Sequence, residues 1–515
     1  MARIRQMLLY LLVLMGGAAT MGVEMCASRL LAPYFGNSLP VWGLLIGLLL
    51  AYLAVGYFVG GRLADRHPQA SLLYQLAAWA GFIIGMLPYL AHPILRYAVT
   101  GFANYQAGMV LGSLLGVLLL FAVPAVLLGC IAPFALRLSL RDTMSGGNVA
   151  GLTYALSTIG SLIGTFVPVF VLIPNVGTRR TMFIIALSLL AVAISGLLVT
   201  ARRRALFYAL LLALVLLLQL LPSGAIKPVA GLLYEAESPY NYVQVLQNGD
   251  EVLLKLNEGE GIQSTYRPQQ VLTGYVYDYF LLVPFFGSGK PLSSMGSVCL
   301  IGLAGGTIAR QYSAVFGPVS IDGIEIDPTV VAVAQRFFAL NLPNLHIAIE
   351  DGRYFLVHSR KAYDVVIVDA YRPPYIPFQL TTVEFFRAVY DHLAENGVVA
   401  VNVARTETDF TLVDAIASTC KAVYPSVYIL DTAGDLNSVV IATRQPSQLP
   451  AITAQMENLP EPFLNNVAAR AQGRIREFVA PRQQVLTDDH APVEQIVHAI
   501  VARYILGKPA CEVQP

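Results

Sequence analysis

Small and acidic residues directly follow several short apolar runs in the second half of the chain, and these are the residues best suited to chemistry. A glycine-rich turn at 302–306 follows the run SVCLIGL, and Glu325 lies 23 residues after Gly302. Asp351 and Asp369 follow two later runs. Such a turn lets a ligand approach the backbone, and an acid at this spacing suits a ribose hydroxyl. The pattern predicts a site for an adenosine-type ligand.

The elements that must position these residues are the strands of a parallel sheet. The apolar runs are rich in Val and Ile and alternate with helical patterns, which is typical of a doubly wound α/β fold. Ligands in such folds bind beyond the carboxyl ends of the strands. Residues 236–285 instead have the pattern of short strands and predict a small β subdomain. The runs that predict the parallel strands lie at 297–303, 320–327, 345–351, 363–370 and 397–404.

The motifs IGLAGG, GIEID, EDGR and VIVDA, in this order, resemble polyamine aminopropyltransferases, the spermidine synthases. The resemblance covers about residues 234–405 and implies a Rossmann-like methyltransferase/spermidine synthase domain. It also implies that decarboxylated S-adenosylmethionine serves as a co-substrate, with no permanently bound cofactor, and that an amine such as putrescine accepts the aminopropyl group. Spermidine and methylthioadenosine would be the products, and a homodimer or homotetramer the assembly.

Site residues carry over from the resemblance one at a time. Asp369 matches the acid that accepts a proton. A second group matches positions that hold the donor, and a third lies where the amine and the aminopropyl tail are expected. The donor-binding group is Asn241, Gly302, Glu325, Asp351 and Gly352, and the substrate-binding group is Tyr277, Asp278, Ala304 and Arg372. Asp488 joins the substrate-binding group because of its own acidic motif, not because of the resemblance.

Two departures from the family pattern bear on the substrate. Ala304 stands where the family has an acid, and Arg372 stands where it has a second one. Both changes remove carboxylates that would hold a cationic diamine. They favour an alternative, a membrane methyltransferase that uses intact S-adenosylmethionine. A non-catalytic polyamine transporter or sensor is a further alternative.

Several of these residues also have structural interpretations. Asp327 precedes Pro328 and is expected to cap a helix, and Asp351 could do the same. The segment YVYDY at 275–279 could line an amine pocket by cation–π contact or form a half-buried helix face. Asp488, in LTDDHAPVE at 486–494, could fold over the pocket and replace the lost carboxylates, or lie in a loop that caps a final helix.

The first half of the chain has a different composition from the second. Residues 1–222 carry 13 Arg, no Lys and three acids, a net charge of +10, whereas the remainder carries −9. About seven apolar runs are long enough to cross a bilayer. The sequence therefore predicts a multi-pass helical domain in the cell membrane. These runs lie at about 7–27, 41–60, 71–91, 107–131, 149–173, 181–199 and 205–222.

The two criteria for orientation conflict. Nine Arg in alternate loops favour a cytoplasmic amino terminus, against four in the others. Seven crossings would then place the second half outside the cell, where a nucleoside donor is scarce. Because the donor must be available, we expect the catalytic domain to lie in the cytoplasm. Glu24, inside the first run, is either a functional intramembrane carboxylate or a structural partner of Arg29.

The predicted domain organisation follows from these observations. The formal net charge of +1 excludes nucleic-acid binding driven by bulk charge. No Cys/His spacing suggests a metal site. The predicted divisions are a membrane domain at 1–222, a linker at 223–235, a β subdomain at 236–290, a Rossmann-like domain at 291–445 and a carboxyl-terminal extension at 446–515.

Overall fold

The structure is a computed structural model in which the chain divides into two compact units, Met1–Pro228 and Val229–Pro515. The division falls inside the linker expected at 223–235. The structure describes residues 2–36, 39–102, 108–140, 146–220, 225–257, 261–287, 295–371, 375–434, 436–457, 459, 461–479 and 485–506.

The first unit is helical, and its long apolar runs form helices whose backbone groups are satisfied within each segment. Within the described residues, six helical stretches are long and apolar enough to cross a membrane, with Gly146–Thr200 counted as one stretch. The helices are α1 (Ala2–Phe35), α2 (Leu39–Arg66), α3 (Ala70–Phe102), α4 (Gly108–Gly129), α5 (Ile131–Ser139), α6 (Gly146–Val167, continued by a π-helical turn at Pro168–Leu172), α7 (Ile173–Thr200) and α8 (Arg202–Leu220).

The longest apolar stretch, Gly146–Thr200, contains two segments rather than one. Its 55 residues would extend roughly 80 Å as a continuous helix, far more than the hydrocarbon core needs. Gly177, with φ of 80°, interrupts the helical backbone. The six helices are one fewer than the number of runs expected from the sequence, and the difference lies in Gly146–Thr200, which the sequence divides into two runs and which Gly177 interrupts.

Contacts between the helices show that successive segments alternate in direction. Gly160 of α6 packs against Leu14 of α1 and Gly164 against Ala18, so α1 and α6 run parallel. In α7, by contrast, Gly196 meets Tyr74 of α3, whereas the earlier residue Ala186 meets the later Gly81. The order of these contacts makes α3 and α7 antiparallel.

The last segment, α8, runs in the same direction as α3. Tyr208 lies against Trp79, with ring centroids 6.2 Å apart, and the Tyr89 hydroxyl donates to the Leu218 carbonyl. The chain therefore enters α1 at one face of the bundle and leaves α8 at the opposite face.

The second unit begins with a four-stranded antiparallel sheet in the order β1-β2-β3-β4, as the alternating pattern predicted. Its first strand starts at Leu232, within the expected linker. A 3₁₀ helix at Val276–Phe286 follows the sheet. The strands are β1 (Leu232–Glu237), β2 (Tyr242–Asn248), β3 (Glu251–Leu256) and β4 (Ile262–Tyr266).

The main sheet has eight strands in the order β12-β10-β11-β9-β8-β5-β6-β7. The five strands from β9 to β7 are parallel, and β10, β11 and β12 pair antiparallel. The strands are β5 (Ser297–Ile301), β6 (Ser320–Glu325), β7 (Leu345–Ile349), β8 (Tyr363–Val368), β9 (Leu393–Ala404), β10 (Ser426–Asp431), β11 (Asn437–Thr443) and β12 (Ile475–Glu477).

Helices cover both faces of this sheet, which explains the unbroken apolar runs of its central strands. Val366 and Val368 face one core, whereas Val365 and Ile367 face the other. The helices are α9 (Thr307–Phe316), α10 (Pro328–Phe337), α11 (Gly352–His358), α12 (Val383–Asp391), α13 (Thr411–Lys421), α14 (Leu449–Met456), α15 (Pro462–Ala471) and α16 (Val493–Leu506).

The segment expected as a carboxyl-terminal extension, 446–515, contributes to this sheet. Strand β12 pairs with β10 through Arg476 and its two neighbours. With only three residues and two charges, β12 has no apolar alternation that would reveal it in the sequence.

Candidate active site at the carboxyl edge of the sheet

The parallel strands bring the predicted glycine-rich turn, Glu325 and Asp369 to one edge of the main sheet. The Gly302 and Leu303 amides both donate to the carbonyl of Ile324, each at 3.0 Å, where β5 meets the end of β6. On the other side of β5, the Asp369 amide donates to the Ile301 carbonyl at 2.8 Å. Three predicted site elements therefore converge at adjacent strand ends.

Two positions of the turn after β5 have no room for a side chain and are occupied by glycine. Gly302 has φ of 91°, and a Cβ there would lie 2.4 Å from the Asp369 carbonyl oxygen. Gly306, with φ of 75°, would place a Cβ 2.1 Å from the Leu340 side chain. Ala304 also has a left-handed backbone, with φ of 47°, which costs an alanine about 1 kcal/mol. The turn thus holds a strained conformation between the two strand ends.

Glu325 helps to hold this turn in place. Its Oε2 accepts from the Ala304 amide at 2.9 Å, and its Oε1 accepts from the Asp327 amide at 3.2 Å. Burial raises the pKa of Glu325 to about 7, while these two backbone hydrogen bonds act in the opposite direction. Glu325 is therefore placed at the end of β6, as predicted, with backbone donors on both oxygens.

Asn241 joins the small β sheet to the main sheet. Its Nδ2 donates to Oδ2 of Asp327 at 2.9 Å, and its Oδ1 accepts from Asn257 at 3.1 Å. Asp327 caps α10, as expected, through Thr329. The nucleoside contact predicted for Asn241 stays a prediction, and the observed contacts of its amide are internal.

Asp351 and Gly352 begin α11 at the end of β7. Oδ1 of Asp351 accepts from the Arg353 and Tyr354 amides, both at 3.0 Å, which is the capping role considered from the sequence. A Cβ on Gly352 would lie 2.3 Å from a side-chain carbon of Ile301, so α11 packs closely on β5. This packing places Asp351 and Gly352 beside the glycine-rich turn.

Asp369 lies at the end of β8 with a neutral hydrogen-bond donor. Asn402 Nδ2 donates to Asp369 Oδ1 at 2.8 Å, and Asn437 Nδ2 donates in turn to Asn402 Oδ1 at 2.9 Å. Burial raises the pKa of Asp369 to about 7, and the Asn402 bond opposes this rise. A carboxyl group with this pKa can exchange protons near neutral pH.

The sequence prediction did not include Asn402 or Asn437. Asn402 is a buried amide within the apolar strand run GVVAVNVA. A polar residue in such a run is the feature of the sequence that could have indicated its place in the site. Tyr371 also contacts this group, because its hydroxyl donates to the Asn402 carbonyl at 3.0 Å. Arg372, predicted to contact the substrate, lies outside the described residues.

Tyr277 and Asp278 make internal contacts. The Tyr277 hydroxyl donates to the Ile262 carbonyl at 2.6 Å. Asp278 is fully buried and accepts from Gln311 and Arg470, both at 2.6 Å. Its other donors are the Thr273 hydroxyl and the amides of Thr273 and Gly274. Both carboxylate oxygens are thus used within the fold, and the structure does not bring Asp278 to the strand-end group.

Asp488 folds back onto the start of α11. Its two oxygens accept from Nη1 and Nη2 of Arg353 at 2.8 and 2.7 Å, and Thr382 donates to Oδ1 at 2.7 Å. The hydrogen bond from Arg353 holds the pKa of Asp488 below its usual value. The segment does approach the predicted nucleoside site, but its carboxylate is paired with a protein cation.

Comparisons with known proteins give a consistent set of matches. A family model described as "Spermine/spermidine synthase domain" matches residues 294–433. A probable polyamine aminopropyl transferase of Bifidobacterium longum is 30% identical over 303 residues, covering 54% of this chain and 67% of that protein. The polyamine aminopropyltransferase of Vibrio vulnificus is 26% identical over 239 residues, 44% of this chain and 77% of that one.

Solved structures are also similar to this chain. The crystal structure of a probable spermidine synthase from Corynebacterium glutamicum covers 50% of this chain and all of its own, at 19% identity and a TM-score of 0.38.

Proposed function

The chain belongs to the polyamine aminopropyltransferase (spermidine synthase) family and is a transferase of that type, and from this premise we propose that it transfers an aminopropyl group from decarboxylated S-adenosylmethionine to an amine such as putrescine. The products are spermidine and methylthioadenosine. The observation that carries the proposal is Asp369, a half-buried carboxyl group whose pKa desolvation raises to about 7, at the edge where the turn, Glu325 and Asp351 converge.

The proposed reaction needs few groups, because the sulfonium donor already carries a good leaving group. The amine arrives as an ammonium ion, with a pKa near 10 like that of lysine. Asp369 takes one proton from it, and the freed nitrogen lone pair forms a bond to the aminopropyl carbon next to sulfur. The carbon–sulfur bond breaks, its electron pair returns to sulfur, and methylthioadenosine leaves as a neutral thioether. Alignment of the two reactants supplies much of the rate.

Donor binding is proposed for the strand-end groups. Glu325 would accept from the ribose hydroxyls, and Asp351 and Gly352 would lie near the adenine. Gly302 lets the donor approach the backbone. The amine would bind near Asp369 and Ala304, with Asp488 positioning α11 through Arg353. Contacts of the amine with Arg372 and Tyr277 stay predictions from the resemblance.

Membrane insertion is the second part of the proposal. The first unit exposes apolar side chains, including Leu206, Leu210 and Leu217 of α8, which are 72%, 64% and 59% exposed. Such a surface suits lipid rather than water. The protein is proposed to span the cell membrane several times, with its catalytic unit in the cytoplasm, where a charged nucleoside donor is available. The family also predicts a homodimer or homotetramer, which sedimentation in detergent would measure.

The test is calorimetric binding and a transfer assay with the full-length protein in detergent. The protein should bind decarboxylated S-adenosylmethionine more tightly than the intact compound and convert putrescine to spermidine. Asp351→Ala should weaken donor binding, and Asp369→Asn should abolish transfer but keep donor binding. Asp391→Asn, an exposed acid at the end of α12, is the matched control and should behave as wild type.

The other outcomes lead to different functions. Preference for the intact donor would replace the proposal with methyl transfer, which the neutral Ala304 and the cation Arg372 favour. Binding of neither compound would exclude both transferases and leave a polyamine transporter or sensor.

A further inference from the structure

Two side-chain amides form a hydrogen-bonded chain that starts at Asp369 and crosses strand β9. Nδ2 of Asn402 donates to Oδ1 of Asp369 at 2.8 Å. Nδ2 of Asn437, on β11, donates to Oδ1 of Asn402 at 2.9 Å. Asn402 is only 5% exposed, so its amide cannot exchange these partners for water without leaving the core.

The register of three neighbouring strands brings these residues together. The parallel pairing of β8 with β9 continues into Asp369 and Asn402, which lie one residue beyond the last pair. On the other side of β9, Val439 of β11 lies opposite Asn402. Asn437 precedes Val439 by two residues and therefore lies on the same face of the sheet. The arrangement thus follows from the sheet itself and needs no loop to complete it.

Asn437 fixes which way the Asn402 amide points. An ionised carboxylate only accepts hydrogen bonds, so Asn402 must present its Nδ2 to Asp369. Its Oδ1 then faces Asn437, which supplies the donor that this oxygen needs. If the Asn402 amide were reversed, an oxygen would face the carboxylate and two N–H₂ groups would face each other. Both hydrogen bonds would be lost, so the pair excludes the reversed orientation.

The two carboxylate oxygens of Asp369 are not equivalent. Oδ1 is held by Asn402, whereas Oδ2 accepts no hydrogen bond from the described part of the chain. Glu325, at the neighbouring strand end, instead accepts a backbone amide on each oxygen. Asp369 is half-buried, and it forms no ion pair with a described residue. Oδ2 is therefore the oxygen that is available to a ligand.

Tyr371 holds the backbone of β9 at the same place. Its hydroxyl donates to the Asn402 carbonyl at 3.0 Å and accepts from the Ala404 amide at 2.9 Å. It is also the titratable group that lies beside Asp369 and interacts with its charge. Because these bonds involve the backbone of β9, they do not depend on the side chain of Asn402. A change of that side chain should therefore leave the strand in place.

We propose that Asn402, oriented by Asn437, is a positioning residue that directs Oδ2 of Asp369 toward the attacking amine. The proposal rests on the proposed function, in which an ammonium ion is the acceptor. One N–H bond of the ammonium breaks and its proton forms an O–H bond with Oδ2, while Oδ1 stays bonded to Asn402. The freed nitrogen lone pair attacks the aminopropyl carbon. Neither amide touches the reacting atoms, and both act through Asp369.

The first experiment compares transfer by Asn402→Leu with transfer by the wild type, using the full-length protein in detergent. Leucine has a similar size but cannot donate. At pH 7, kcat should fall about tenfold or more, whereas donor affinity measured by calorimetry should be unchanged. The pH below which kcat/KM falls should rise by about one to two pH units, because the ionised form of Asp369 loses its donor. Asn437→Ala should change kcat and the pH profile in the same direction, to a smaller extent.

Asn344→Ala is the matched control. Asn344 belongs to the same catalytic unit, and its amide donates to the Ser313 hydroxyl and the Val319 carbonyl, neither of which contacts Asp369. This variant also loses internal hydrogen bonds and should have a lower Tm. Its kcat and its pH profile should nevertheless match those of the wild type, which separates positioning of Asp369 from a general loss of stability.

A second experiment needs no enzymatic activity. Asp369→Asn is compared with its parent by thermal unfolding at pH 5 and pH 8, once in the wild type and once in Asn402→Leu. The gain in Tm at pH 8 should be larger in the Asn402→Leu background, where the buried carboxylate has lost its donor.

The two experiments separate failure of this proposal from failure of the proposed function. Transfer by the wild type, with an unchanged kcat and pH profile in a folded Asn402→Leu protein, would overturn the positioning role alone. The same Tm gain in both backgrounds would also overturn it. No transfer by the wild type, together with a larger Tm gain in the Asn402→Leu background, would overturn the proposed reaction but support the control of Asp369 by Asn402.

Discussion

Two carboxyl groups at the sheet edge, Asp369 and Glu325, have pKa values near 7 for the same physical reason but with different partners. Burial disfavours the charged form of each. Glu325 receives backbone amides on both oxygens, whereas Asp369 receives a single side-chain amide from Asn402. Glu325 is thus held as a binding group, and Asp369 keeps the freedom to gain and lose a proton.

The pH dependence of transfer should follow Asp369. Its carboxylate is the active form, so kcat/KM for the donor, at saturating acceptor, should fall about tenfold per pH unit below pH 7 and level off above it. Glu325→Gln should weaken donor binding, but the slope of its pH profile should still change near pH 7. A break near pH 4 would contradict the assignment, because it would mean that Asp369 titrates as an exposed acid.

The stability of Asp369→Asn relative to wild type should rise with pH. The folded-state pKa of Asp369 exceeds its unfolded value, so its contribution to the free energy of unfolding is lost as pH rises from about 4 through 7. The amide does not ionise. The variant should therefore gain stability over wild type between pH 5 and pH 8, by on the order of 1 to 3 kcal/mol. Thermal unfolding at both pH values measures this, and Asp391→Asn should show no such change.

At the scale of elements, the segment around Asp488 fastens the helices that begin near the site. The Leu486 carbonyl accepts from the Val383 amide at 2.9 Å, which ties the segment to the start of α12. Asp488 bonds to Arg353 in the first turn of α11, directly after Gly352. His498 of α16 pairs with the Tyr375 hydroxyl at 2.6 Å. These contacts join sequence-distant parts around the site.

Breaking the Asp488–Arg353 pair should loosen α11 and weaken donor binding. Both side chains are partly exposed, so we expect a modest coupling of about 0.5 to 1 kcal/mol, which corresponds to a two- to fivefold change in affinity. A double-mutant cycle with Asp488→Asn and Arg353→Met, measured by donor calorimetry, determines this coupling. Additive effects of the two changes would show that the pair does not position the helix.

The sequence could predict the elements whose signal is local. Apolar runs ending in Glu325, Asp351 and Asp369 indicated a parallel sheet, and the carboxyl ends of parallel strands meet at one edge. Contacts between distant residues have no such signal. Asp278 and Arg470 are 192 positions apart, so their ion pair could not be expected from either residue. β12 was missed for the same reason, since its pairing with β10 rather than its composition defines it.

At the scale of the whole molecule, counting Gly146–Thr200 as two segments gives an odd number of segments, and the two orientation criteria then conflict. Parallel α1 and α6, and parallel α3 and α8, mean that the chain enters and leaves the helical unit at opposite faces. A cytoplasmic catalytic unit then requires an external amino terminus, against the distribution of Arg. A cytoplasmic amino terminus would instead place the catalytic unit outside the cell.

Cysteine labelling in intact cells tests this topology. The described cysteines are buried, so single exposed cysteines at Arg3 and Glu407 can be compared with the unsubstituted chain. Arg3→Cys should react with an impermeant reagent from outside, and Glu407→Cys only after lysis. Labelling of Glu407→Cys from outside would refute the cytoplasmic location, and labelling of both from one side would refute the odd number of crossings.

The close contact of α1 with α6 limits which glycines can be substituted during the evolution of this protein. A Cβ at Gly17, Gly160 or Gly164 would lie 2.0 to 2.1 Å from a backbone oxygen of the neighbouring helix, so neither side can yield to a larger residue. Gly43 and Gly47 of α2 face open space. Substitutions should therefore be tolerated at Gly43 and Gly47 and selected against at the three glycines between α1 and α6. The sequence alone does not distinguish the two groups, because all five glycines lie in apolar runs.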